Sequence, residues 1–225
     1  MRRVIASATT GVVSTIAIGV LGAPSASGAC SVVDHCYGIV SSRPATIDGI
    51  KAIITPYCLT APIGGFVTAE VWLANTAGTH WVEVGYIDHW VPPPNNVPGL
   101  PQGRYGFWFE SRPSGFQQGH TLVNGPSLIA RAASITRTSS TTFLVNFGGA
   151  TATAPSNSMA TDRGDIGSET TSASAHSYGY YNSMAHYAGG SWASQLGTPV
   201  FRTADPPQTQ GWNTQLQTMH AGVPC

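Results

Sequence analysis

The sequence predicts an all-β fold: an antiparallel β-sandwich of jelly-roll kind, stapled by disulfides. Three observations predict it. Helix signals are scarce, because no window longer than about ten residues combines apolar spacing at three and four with caps. Short strand-like runs recur instead, separated by turn chemistry at Ile63-Gly64-Gly65, Asn75-Thr76-Ala77-Gly78, Arg112-Pro113-Ser114-Gly115 and Gly148-Gly149. The four cysteines, Cys30, Cys36, Cys58 and Cys225, are an even set of the kind that exported chains oxidise.

The chain begins with a basic Met1-Arg2-Arg3, an uncharged and mostly apolar run from Val4 to Ala23, and small residues from Ser25 to Ala29. Residues 1–29 therefore read as a secretory signal peptide, and the protein as extracellular. Lipid anchoring at Cys30 is the minor alternative. Ser27 stands where an aliphatic residue is expected, and a lipidated Cys30 would leave an odd cysteine. Residues 30–48 form an N-terminal arm, and residues 49–225 form one sandwich domain, a length that buries a sizeable core. Pairing Cys30 with Cys36 and Cys58 with Cys225 is preferred; Cys36 with Cys58, and the arm with Cys225, stays open.

Within the domain the strands follow in order. Ile50–Ile54 comes first, then Phe66–Ala74 (FVTAEVWLA), His80–Ile87 and Tyr105–Glu110 (YGFWFE). Ser127–Ile135 and Thr142–Phe147 complete the central group, and Thr170–Ser177 and Tyr178–Tyr187 are weaker candidates. Val91–Gly103 holds five prolines and reads as a stiff surface excursion. Ala154–Gly167 reads as a polar loop, and Thr203–Cys225 has no clear pattern.

Charge excludes several partners. Without Arg2 and Arg3, eight basic side chains face ten acidic ones, a formal charge of −2, and Lys51 is the one lysine. Such a surface does not suit phosphate backbones, so nucleic acid is not expected. No second apolar stretch is long enough to span a bilayer. His80, His89 and His120 fall at no recognised metal spacing, and His35 stands next to Cys36 in the disulfide arm. No metal and no cofactor is expected. A Gly-x-Ser-x-Gly elbow is absent, which removes the signature of a serine hydrolase.

Side chains alternate along a strand. Glu70 and Trp72 thus share a face opposite Val71 and Leu73, and Trp81, Glu83 and Gly85 share a face opposite Val82 and Val84. Trp108 and Glu110 lie together opposite Phe107 and Phe109. Three neighbouring strands would then give one open wall carrying Glu70, Glu83, Glu110 and three indoles. Flat rings stack on the apolar faces of sugars. The favoured function is accordingly binding of a glycan or a secreted or cell-surface protein, with Trp72, Trp81 and Trp108 as platforms and Glu70, Glu83 and Glu110 as polar contacts.

A resemblance supplies the second reading. Glu83 in HWVEVGY, followed by the aromatic strand RYGFWFESRPSGF, resembles the core of neprosin-type proteins, which are secreted β-sandwich glutamic peptidases. In that family a glutamate in an I-E-x-G-W strand precedes an R-x-F-x-Y-W-T strand, and a second glutamate follows near Met-Gly-Ser-Gly. Asp165-Ile166-Gly167-Ser168-Glu169 is the nearest stretch here, so the resemblance implies Glu83 and Glu169 as a catalytic pair. Paired carboxyls activate water when one stays ionised and the other is kept protonated. A third reading makes the chain a subunit of a larger secreted assembly, with Ala29 to Pro44 pairing to a partner's sheet edge.

Overall fold

The structure is a computed structural model that describes residues 35–43, 46–92, 99–155, 159–194, 200–206, 208–213 and 218–225. The expected signal peptide and Cys30 lie outside them. Among the described residues there are strands and no helix. The strands are β1 (Cys36–Ser42), β2 (Gly49–Pro56), β3 (Phe66–Ala74), β4 (Trp81–His89), β5 (Gly103–Ser111), β6 (Gln117–Asn124), β7 (Arg131–Ser139) and β8 (Thr142–Phe147). They continue with β9 (Ala150–Pro155), β10 (Arg163–Thr170), β11 (Gly179–Ala188), β12 (Ser191–Ser194), β13 (Val200–Ala204), β14 (Thr209–Asn213) and β15 (Thr218–Gly222).

Two antiparallel sheets pack face to face. One has the order β13-β1-β10-β3-β4-β5-β6, the other β14-β15-β11-β2-β7-β8-β9, with β12 attached to β11. Alternation explains the layering. Val67, Ala69, Val71 and Leu73 of β3 and Val82, Val84 and Tyr86 of β4 point inward onto Ile50, Ile54, Ile135, Val145 and Phe147 of the second sheet. Burying such side chains is worth about 1.5–3 kcal/mol each. Tyr86 meets Phe147 edge to face at 4.6 Å and donates its hydroxyl to the Ile129 carbonyl at 2.6 Å.

Several expectations need correction. Residues 163–167 form most of β10, a central strand, where a polar loop was expected, whereas Thr170–Ser177 is largely turn where a strand was expected. β10 has few apolar residues of its own, but its neighbours β1 and β3 satisfy its backbone on both sides. The patternless tail supplies β14 and β15, held by the Cys58–Cys225 disulfide, whose Cα atoms lie 6.2 Å apart. Cys36 is also disulfide-bonded. Residues 36–42 of the expected arm form β1, paired on one side with β10 and on the other with β13, so this part of the arm offers no free edge to a partner.

The outward face of the first sheet is built in rows. One row reads Tyr37, Glu169, Thr68, Ile87, Tyr105; the next Ile39, Gly167, Glu70, Gly85, Phe107; the third Ser41, Asp165, Trp72, Glu83, Phe109. Glu169, Glu70 and Glu83 therefore fall on a diagonal across three adjacent strands. Glycines flank Glu70 on both sides of its row. A Cβ at Gly85 would lie 2.2 Å from the Ala69 carbonyl oxygen and 2.6 Å from Glu70 Cα, and one at Gly167 would lie 2.1 Å from the Gly38 carbonyl oxygen. The absence of side chains there leaves room for the acids to converge. Gly85→Ala is expected to destabilise the fold by about 2–3 kcal/mol, because rigid backbone must move; urea unfolding measures it, and a loss below about 0.5 kcal/mol would contradict the argument.

Candidate active site

Glu70, Glu83 and Glu169 converge. Their carboxylate oxygens lie within 4.8 Å of one another, and all three side chains are buried. Glu83 and Glu169 line a cleft of about 630 Å³, and Glu70 is fully buried next to them. The two glutamates paired by resemblance thus meet, and Glu70, expected among ligand contacts, sits between them.

Each acid has a different environment. Glu70 is fully buried; Thr68 donates its hydroxyl to one carboxyl oxygen, while Oε2 is buried without a hydrogen-bond partner. Burial, then the charges of Glu83 and Glu169, hold the Glu70 carboxyl well above the ordinary range, so it keeps its proton. Glu83 is pushed up to about 8, mainly by burial and then by Glu169, against the opposing hydrogen bonds from the Trp72 and Trp81 indoles. Glu169 differs from both. Its backbone N–H donates to Thr68 Oγ1 at 3.1 Å, and its carboxyl meets His35 Nδ1 in an ion-pair contact. Thr68 thereby links the backbone of one acid to the carboxyl of another.

The surroundings complete the cleft. Tyr37 keeps its phenolic proton, held up chiefly by Glu169 and then by burial. Arg163 Nε meets Asp165 Oδ2 at 2.6 Å at one end. An apolar wall is formed by Phe66, Ile87, Val91, Leu100, Phe107 and Phe109, of which Val91 and Leu100 belong to the proline-rich excursion. Tyr181, from the second sheet, donates to the Gly167 carbonyl at 2.8 Å and pins β10 from beneath.

The open aromatic wall is not what the structure presents. Trp72 is 6% exposed and Trp108 5% exposed, so neither offers a ring face to a sugar. Trp72 and Trp81 instead grip Glu83. Trp108 and Glu110 pair in register with Val84 and Val82 and therefore point to the opposite side of the sheet. There Trp108 joins the main core and stacks on His120, with centroids 4.0 Å apart. Glu110 is consumed by Arg112, at 2.7 and 2.5 Å to its two carboxyl oxygens. Glu110 is thus not part of the acid cluster. His35, Thr68 and Tyr37 were missed in the sequence, and the adjacency of His35 to an anchored cysteine was the signal available.

Three ionised carboxylates would have the donor chemistry for a hard divalent cation. Here two of them favour the protonated form and would have to release protons first. The arrangement suits proton transfer better: one proton-holding pair and a third acid facing a base, all within reach of a single water.

No protein-family model and no curated protein sequence matches the chain. Solved structures do match in fold. A scytalido-glutamic peptidase bound to a transition-state analogue inhibitor superposes with a TM-score of 0.61 at 11% identity, covering 84% of this chain and 98% of that one. A second structure of scytalido-glutamic peptidase, with a peptide-based transition-state analogue, gives 0.57 at 11% identity over the same shares, 84% and 98%. SCP-B, a member of the eqolisin family of peptidases, in a complex with the tripeptide Ala-Ile-His, gives 0.54 at 12% identity over 84% and 98%.

Proposed function

We propose that the protein is a glutamic-peptidase-like hydrolase that cleaves peptide bonds with a carboxyl-activated water. The observation that carries this reading is the convergence of Glu70, Glu83 and Glu169 within 4.8 Å, two of them, Glu83 and Glu169, lining a cleft. The fold likeness to structures named as glutamic peptidases supports it. Like charges this close cannot all ionise in a buried site, so the cluster stores protons.

The steps follow from the environments. Glu169, whose carboxyl meets His35, is the general base. It removes a proton from water as the water oxygen attacks the scissile carbonyl carbon. Glu83, protonated and steadied by two indoles, donates to the carbonyl oxygen and stabilises the charge that develops there. The C–N bond then breaks as Glu169 returns its acquired proton to the departing amine, and Glu83 recovers its own as the carbonyl reforms. Glu70, protonated beside them, lowers the local negative charge. No cofactor takes part in these steps. Secretion, which the signal-like leader implies, places the activity outside the cell.

The test is cleavage of fluorescently labelled casein from pH 3 to 9. The expected result is hydrolysis in the acid range, about pH 4–5, from a shared carboxyl proton. Activity is lost as pH rises through about 8, because Glu83 then surrenders the proton it must donate. No cleavage at any pH, or a maximum in the alkaline range, would end the reading.

A further inference from the structure

The proposed mechanism needs one of three crowded acids to be an anion, and the cleft holds a base placed to select it. His35 immediately precedes β1, whose Tyr37 stands opposite Glu169 in register. Residue 36, next to it, is disulfide-bonded, and the Tyr37 N–H donates to Asp205 Oδ2 at 3.0 Å, so the backbone that follows the imidazole is held in place. The ring meets Phe66 edge to face, centroids 5.3 Å apart, and its Nδ1 contacts the Glu169 carboxyl. His35 is only partly open, with a side-chain exposure of 30% against 7% for Glu169.

We propose that His35 is the positioning residue of this site: its imidazolium holds Glu169 as the anion and fixes which oxygen faces water. This rests on the glutamic-peptidase reading for its consequence in catalysis, but not for the electrostatic pairing itself. Among the described residues, Glu169 on β10 contacts His35, Glu83 on β4 feels its charge, and the ring of Tyr37 on β1 lies 6.4 Å from its ring. All three are acids. Arg163, the other basic side chain lining the cleft, is committed to Asp165. In acid an imidazole is cationic, so one positive charge stands among these three acidic groups, and contact geometry gives it to Glu169. A symmetric three-acid cluster becomes one with a designated base.

Two arms test this. First, kcat and KM for an unstructured fluorogenic peptide are measured against pH in the wild type, His35→Gln and His35→Lys. An opposite charge in contact favours ionisation, so in His35→Gln the acid limb of kcat moves to higher pH by about one unit, roughly a tenfold loss at the lowest pH values, with KM little changed. His35→Lys restores much of the limb. An unmoved limb, a change confined to KM, or a gain in kcat/KM would overturn the proposal; the gain would make His35 an obstruction. Second, the Glu169 carboxyl carbon is titrated by NMR, assigned by its disappearance in Glu169→Gln. It must titrate higher in His35→Gln than in the wild type. This arm is independent of cleavage: an inactive protein with the shifted Glu169 titration would sink the peptidase reading alone, and an active one without it would sink His35 alone.

Discussion

Glu169→Gln is expected to lower kcat for casein or peptide cleavage by about 10³-fold, with the fold intact. The magnitude is that of removing a positioned general base, roughly 10² to 10⁴. The change is close to isosteric. The backbone N–H of residue 169 still donates to Thr68, and a Gln carbonyl oxygen can still accept from His35, so unfolding is not the expected cause. What vanishes is the capacity to take a proton from water. Glu83→Gln is expected to fall to a similar level, since an amide polarises a carbonyl oxygen but cannot pass it a proton. Groups acting as a unit are not additive, so the double variant should be little worse than either single one. Glu110→Gln is the internal control. It lies on the other face of β5 against Arg112, and its kcat should stay within about twofold of wild type once stability is allowed for. More than a tenth of wild-type kcat remaining in Glu169→Gln would remove that residue from the chemistry; near-infrared or fluorescence traces are unnecessary, since circular dichroism checks the fold and initial rates check the rest.

How far the sequence reaches toward this site depends on the strand. β3 and β4 carry bulky apolar residues on the core side and mixed residues on the other, so alternation places Glu70 with Trp72 and Glu83 with Trp81 on one face, as the structure has them. β5 defeats the same argument. Tyr105, Phe107 and Phe109 on one side and Trp108 on the other are all apolar and aromatic, so periodicity says which residues share a face but not which face is inside. Pairing with β4 decides that, through Trp108 against Val84. β10 was harder still. In RGDIGSET only Ile166 and the terminal Thr170 favour a strand, and two glycines dilute the signal. Its conformation comes from the neighbours that flank it, and Gly167 is needed where the Gly38 carbonyl approaches closely, at a φ of +154°. Glu169 was therefore reachable only through the resemblance to neprosin-type proteins. The clustering itself follows from two small facts that no propensity reports: a diagonal of three acids, and glycines beside the central one.

The same proton storage has a consequence for stability, and its sign is opposite to that of an ordinary surface carboxylate. Glu83 is raised from an ordinary 4.5 to about 8 in the folded protein, and Glu70 is raised as well, first by burial and then by its neighbours' charges. A carboxyl whose folded value lies above its unfolded one binds its proton more tightly in the native state. Its contribution is fully present below about pH 4.5 and is lost as pH rises toward 8, since the unfolded chain ionises freely across that window while the folded one resists. At about 1.4 kcal/mol per pH unit, Glu83 alone accounts for roughly 3–5 kcal/mol between those limits. Thermal unfolding should therefore show Tm falling steadily from pH 5 to pH 8. In Glu83→Gln the decline should be shallower and Tm at pH 8 higher than wild type, although the variant is nearly inactive. A flat profile in the wild type would mean the acids are solvated, and both the proton-sharing cluster and the chemistry built on it would fail together. An active site that costs stability when charged, and regains it when disabled, is the expected behaviour of acids held close for use; acids kept merely for solubility would show neither the slope nor the rescue.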